Sequence, residues 1–384
     1  MRLLTALCLL LAAGTGTATS TMLAAPPPGP VSMRCGTTEA TLTAGMTVAQ
    51  WRLGSVHFMS PGAGVAVTAA QIYCHSAAGV VSQAQRVLLA VSTDGGGRWV
   101  TEGTALPAAT VDQVAAFSTR AVWALTSAGT LYATANGGRT WTRQRFPGPV
   151  LTITQADGEL TALFHRTSPY GPGIDTLRLP GGSWRPVPVP PLDTKNTTVP
   201  QLAFAGGGTF GLLIGPELIS STDGGARWTS RSVPAAPDGI CRHPGLVLTA
   251  TAPGELWVLC EDGQGMQKAT QVLLRTGNDG RTWQVMSQIL GPSSRPGALP
   301  FEGPTAIAAF SPALLWIVGL NYIAYSTDAG RTWSVLTTIN PAESYPVTLD
   351  VQSPARAWLL APGAGMWRTT DGLHWVQLGP YFPG

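Results

Sequence analysis

Charge is scarce in this 384-residue chain: Asp, Glu, Lys and Arg together supply 11% of it, as 23 basic and 20 acidic residues with a net charge of +3. The basic residues are scattered rather than clustered, so the electrostatic footprint of a nucleic-acid binder is missing. Histidine and cysteine are also few, five of each, and no CxxC or histidine pair has ligand spacing, so no metal is expected. Glycine-rich nucleotide loops, nucleophile elbows and zinc-helix motifs are absent, which leaves no cofactor to expect and no foothold for most enzyme classes. Long apolar runs at helical spacing stop after the first dozen residues, which argues against a helical protein.

What is abundant is glycine and proline, 46 and 32 residues, the punctuation of many short strands. The opening "MRLLTALCLLLAAGTGTATSTMLAAPPPGP" carries one positive charge, an apolar core from Leu3 to Ala13, then small residues and a proline-rich spacer. It reads as a secretory signal peptide over residues 1–25, cleaved between Ala18 and Ala25, with a spacer over 26–45. The apolar run is too short for a comfortable membrane span, so no span is expected after cleavage, and an uncleaved anchor is the rival reading. Removal of Cys8 leaves Cys35, Cys74, Cys241 and Cys260, an even set in a chain expected to meet an oxidising compartment. Cys241 and Cys260 bracket two strand-like runs around the turn "APGE", so pairing 241 with 260 and 35 with 74 is expected.

One phrase recurs along the chain. "STDAGRTW" ends at Trp333, and near-copies end at Trp99, Trp141, Trp228, Trp283 and Trp375, with a decayed copy, "LPGGSW", at Trp184. Successive tryptophans lie 42 to 55 residues apart, the period of propeller blades built from short strands. Upstream of each copy stands a turn followed by an apolar or aromatic run, as in "STRAVWAL", "PGELWVLC" and "SPALLWIV". The spacing from aromatic to box tryptophan holds at 17 or 18 residues from Trp123, Phe210, Trp316 and Trp358. Each unit therefore reads as four strands, A to D, illustrated by "TAIAAF", "LLWIVG", "YIAYS" and "TWSVLTT". One such sheet cannot bury both faces, whereas seven packed radially can. The expected fold is all-β: a single seven-bladed β-propeller of four-stranded antiparallel blades over residues 46–384. How the ring closes is open, since "TVAQWRL" could pair beside the strand begun at Trp375 or merely precede blade one.

The pattern S/T-x-D-x-G-x-T-W is the Asp box, or bacterial neuraminidase repeat, matched in full by "STDAGRTW" at 326–333. The chain thus resembles the sialidase-like propeller superfamily over nearly its whole mature length. A short acidic or amide side chain accepts backbone N–H groups within a tight turn, and glycine supplies positive φ. Asp94, Asn136, Asp223, Asn278, Asp328 and Asp371 are accordingly expected to be structural. The box arginines, Arg98, Arg139, Arg227, Arg281 and Arg331, are expected to be solvated.

In a meander, turns AB and CD share one face of the disc and loops BC and DA the other. The extra length falls between B and C in "TAAQIYCHSAAGVVSQAQ", "HRTSPYGPGID" and "EDGQGMQKATQ", and in long DA links, all on the face away from the boxes. Binding usually occupies loops carried by a rigid frame, so the candidate binding residues are His165, Tyr170, Asp175, Asp193, Lys195, Arg242, His243, Glu261, Asp262 and Arg295. "NTT" at Asn196 fits a glycosylation sequon.

The resemblance also implies what a sialidase would need: three arginines on the substrate carboxylate, a Tyr–Glu nucleophile and an Asp acid/base. Its first arginine normally lies in an "RIP" phrase before the first box. Here Arg34, Arg52 and Arg86 stand in no such phrase, and "RFP" at 145–147 is in the wrong blade. No catalytic residue is assigned. The expected function is a secreted, monomeric, non-catalytic scaffold for protein or glycan, similar to propeller-type assembly factors such as those of photosystems. The alternative is a diverged glycoside hydrolase.

Overall fold

Blade six shows why the repeat folds as it does. Leu315–Gly319 is apolar and buried at every position, because the second strand from the centre is covered by a neighbouring sheet on each face. Pro304–Ala309 pairs with it on the inner side, and Tyr322–Ser326 then Ser334–Thr338 follow outward, all antiparallel. The outermost strand faces solvent, leaving Val335 58% exposed. The computed structural model describes residues 44–378 apart from 46, 49, 51–52, 77–78, 109, 168–169, 179–181, 191–199, 235–246, 253, 263–269, 291–298, 300–303, 310, 320–321, 339–347, 354 and 362–364.

The plan occurs seven times as antiparallel sheets in sequence order, six of four strands and the first of five. The innermost strands are Leu53–Phe58, Gln113–Ala116, Val150–Ala156, Gln201–Gly206, Val247–Ala252, Pro304–Ala309 and Thr348–Ser353. Each contacts the next and the last contacts the first, so the sheets form a closed seven-bladed propeller. The core lies between blades rather than at one centre. Each tryptophan that ends the repeated phrase packs into the interface with the preceding blade, as Trp99 does against blade seven, Trp184 against blade two and Trp333 against blade five.

The repeated turns share one hydrogen-bond pattern. In blade six the Ser326 hydroxyl donates to Asp328 Oδ1 at 2.8 Å, Gly330 N donates back to that hydroxyl, and Thr332 N donates to Asp328 Oδ1 at 2.8 Å. Blade two makes the same bonds with an amide: Thr140 N donates to Asn136 Oδ1 at 2.9 Å. The glycine before the arginine needs positive φ, +80° at Gly330. Backbone N–H groups of these turns donate to the AB turn of the same blade, as Gly95 to Gly62, Gly137 to Arg120 and Gly224 to Gly208. That places AB and CD turns on one face.

Asp328 is held at a pKa of about 2: burial raises it, but hydrogen bonds from Thr332, Ser326 and Arg331 lower it further. A depressed carboxyl stabilises the fold above its unfolded value of 3.8, and that contribution fades as pH falls toward about 2. Because asparagine serves in blades two and five, Asp328→Asn is expected to cost under about 1 kcal/mol and to flatten this acid dependence. Asp328→Ala is expected to cost about 1–2 kcal/mol at neutral pH. Urea midpoints across the acid range check both.

One point left open by the sequence is settled in the structure, and one expectation is corrected. Thr47–Val48 pairs with Val100 and Trp99 on the outer edge of blade one, not with blade seven. The ring therefore closes without strand exchange. The long BC stretches of blades one and three are not loop but paired strand, Glu159–Thr167 against Tyr170–Arg178 in blade three and Gly64–Ser76 against Gly79–Ser92 in blade one, where the inner strand's pairing ends already at Thr68. In blade one the β-branched and aromatic residues Ile72, Tyr73, Val80 and Val81 favour strand on both sides of the turn. Cys260 is fully buried in strand Glu255–Asp262 and disulfide-bonded; Cys35 and Cys241 lie outside the described residues, and so does the side chain of Cys74.

Candidate functional site

On the face away from the repeated turns, a cleft of about 690 Å³ opens between the BC turn of blade two and its link to blade three. Ala128–Leu131 form one wall; Arg143, Gln144, Arg145, Phe146, Gly148 and Pro149 form the other. The link is fixed to both blades: Gln144 N donates to Leu131 O at 2.8 Å and His165 N to Pro149 O at 2.9 Å. Phe146 anchors it from beneath, 5.1 Å from Trp184 and 5.3 Å from Phe164 by ring centroid. Gln144 Oε1 accepts from Trp184 Nε1 at 3.1 Å. Arg143 and Arg145 stay exposed, and neither has an acidic partner among the described residues. The cleft is a rigid, cationic, partly aromatic groove.

Of the residues singled out from sequence, His165 comes to this neighbourhood through its bond to Pro149, and Asp175 stands on the adjacent strand of blade three, opposite Ala162. His165 Nδ1 lies 3.1 Å from Arg166 O. Burial pushes the Asp175 carboxyl above its ordinary value, while the Arg166 charge works the other way. Tyr170, Glu261 and Asp262 stand at loop-face strand ends, with side chains outside the described residues. Asp193, Lys195, Arg242, His243, Arg295 and Asn196 lie outside the described residues altogether. Arg145 and Phe146 were visible in the sequence only as the misplaced "RFP" phrase. Among the described residues no group of three His, Cys, Asp or Glu could hold a metal ion, and no helix is long and apolar enough to cross a membrane.

A second cavity, of about 590 Å³, lies on the opposite face, where the innermost strands of blades seven, one, two and three end. His57, Met59, Phe117, Gln155, Gln352 and Arg356 are among its walls. His57 Nδ1 sits 3.1 Å from Asp350 Oδ1, a pair with side chains 20% and 12% exposed. Burial lowers the His57 pKa, but the Asp350 charge, its hydrogen bond and the Ala116 carbonyl together hold it above 6.5.

No protein-family model and no curated protein matches the chain. Among solved structures, YCF48 bound to a D1 peptide aligns with a TM-score of 0.55 at 14% identity, over 86% of this chain and 98% of that one. YCF48 from Cyanidioschyzon merolae gives 0.53 at 14%, over 86% and 99%. A catalytically inactive virginiamycin B lyase from Staphylococcus aureus, with quinupristin, gives 0.53 at 14%, over 85% and 98%. The chain shares their β-propeller fold. Identities this low carry the fold and no more, since one scaffold hosts binding proteins and enzymes alike.

Proposed function

We propose that the protein is a secreted, monomeric propeller of sialidase-like ancestry that acts as a non-catalytic binding or assembly scaffold. It engages a protein or glycan partner through the BC/DA face. The observation that carries this reading is the cleft of Arg143, Arg145 and Phe146, whose described lining holds exposed cations and an aromatic ring but no carboxylate to act as acid or nucleophile. YCF48, captured with a D1 peptide, is a propeller of this shape with a peptide partner, which supports the protein-binding form of the proposal. Export rests on the N-terminal segment, and disulfides 35–74 and 241–260 follow from that compartment.

Hydrolysis stays a competing reading because of Asp175, a half-buried carboxyl with a raised pKa beside Arg166. The two readings separate in one set of assays on the secreted protein. A photocrosslinking residue at position 145 is expected to capture the partner, while one at Arg227, on the rim of the other face, captures nothing. A panel of fluorogenic glycosides including a sialoside is expected to give no turnover. Turnover abolished by Asp175→Asn, or capture from position 227 alone, would overturn the scaffold proposal.

A further inference from the structure

The cavity at the repeated-turn face was not singled out by any motif, because it is assembled from four blades. Its chemistry is uneven. Arg356, half-buried at the start of the second strand of blade seven, has no ion-pair or hydrogen-bond partner among the described residues. Holding a guanidinium against a cavity wall without an anion is unfavourable, and a carboxylate is its best planar partner. On the far wall, in blade three, Gln155 has a buried side-chain oxygen with no hydrogen-bond partner. Leaving a buried amide oxygen without a donor is unfavourable, so turning it toward a donor in the cavity is favoured. Met59 and Phe117 supply an apolar lining between them. Two acids stand near: Asp350 is taken by His57 and by Phe58 N, and Asp157, though it lines the cavity, has its carboxylate beside Gly206 of blade four.

From this juxtaposition we infer that the cavity binds the carboxyl terminus of a peptide, the carboxylate on Arg356, the last amide N–H on Gln155 and the terminal side chain against Met59 and Phe117. A volume of about 590 Å³ falls in the range of small-ligand sites. We take the occupant to be the terminus of another molecule; Trp375–Leu378, the last described strand, heads toward the opposite face. This site is independent of the loop-face cleft, and its failure would leave that proposal untouched.

The test uses the whole secreted protein and a fluorescein-labelled tripeptide mixture with every residue type at the last position, as free acids and as C-terminal amides. The free acids are expected to bind, with apolar last residues preferred, and the amides to bind at least about tenfold more weakly. Arg356→Gln should weaken the free acids by a similar factor, while Arg281→Gln, at an exposed arginine outside both cavities, leaves them unchanged. The acid–amide comparison needs no variant, so a poorly folded Arg356→Gln does not blunt it. Equal binding of acids and amides, no binding of either, or loss through Arg281→Gln as large as through Arg356→Gln would overturn the inference.

Discussion

Trp358→Ala is expected to lower stability by about 3–5 kcal/mol, the usual cost of emptying a large buried aromatic site. The ring of Trp358 is fully buried and stacks on Phe58 at 3.9 Å with an interplanar angle of 8°. Its Nε1 donates to Gly95 O in the first repeated turn at 3.0 Å. Both partners belong to blade one, so this single side chain joins the two ends of the propeller. Other neighbouring blades are joined by the chain itself. Blades seven and one are not, and their contact at Phe58 and Asp350 spans 292 residues. Closing a loop of that length costs roughly 5 kcal/mol beyond a constant, so the contacts at the closure must offset it. Loss of Trp358 should therefore open the ring locally before it unfolds the rest. Hydrogen exchange is expected to rise in blades one and seven first, and urea unfolding should lose midpoint and cooperativity together. Trp123→Ala, equally aromatic and 6% exposed but away from the closure, should unfold the protein without that local signature. A uniform rise in exchange for Trp358→Ala would refute the clasp.

The parts of the fold that were legible in the sequence are those written locally. Each repeated turn closes on itself within a few residues, from Ser326 to Thr332 in blade six, so its pattern and period can be counted from the chain. The all-apolar second strands are equally plain, since Leu315–Gly319 is covered on both faces and admits no polar alternation. Closure is different. Gln352 Nε2 donates to Phe58 O across 294 residues, and neither residue belongs to a motif. The site suffers the same way. Arg356 lies in the turn upstream of the last repeated phrase and belongs to no motif of its own, because the cavity around it exists only once four blades meet. The extra chain length visible in the sequence lies on the opposite face, much of it outside the described residues.

Asp350→Ala is expected to cost about 2–3 kcal/mol, because it strips acceptors from two groups of blade one at once. Phe58 N donates to Asp350 Oδ2 at 2.6 Å, and His57 Nδ1 lies 3.1 Å from Oδ1. The pair is mostly buried, so solvent replaces the lost carboxylate poorly. Its pH dependence has a definite sign. Because the folded protein holds the His57 proton more tightly than a free imidazole at 6.5, the pair contributes fully below that value. The contribution is lost as pH rises through the raised folded value. Arg356 and Asp157 are the other charged groups that line the same cavity. Wild-type stability should thus fall on going from mildly acidic to alkaline buffer, by an amount that His57→Gln removes. Asp350→Asn keeps one acceptor for Phe58 N and lacks the charge, so it should lose the pH-dependent part and retain most of the rest. Urea midpoints for the wild type and these three variants, measured on both sides of 6.5, decide the matter. A wild-type profile that rises with pH, or one that survives His57→Gln, would mean that the blade seven to blade one contact does not depend on this proton.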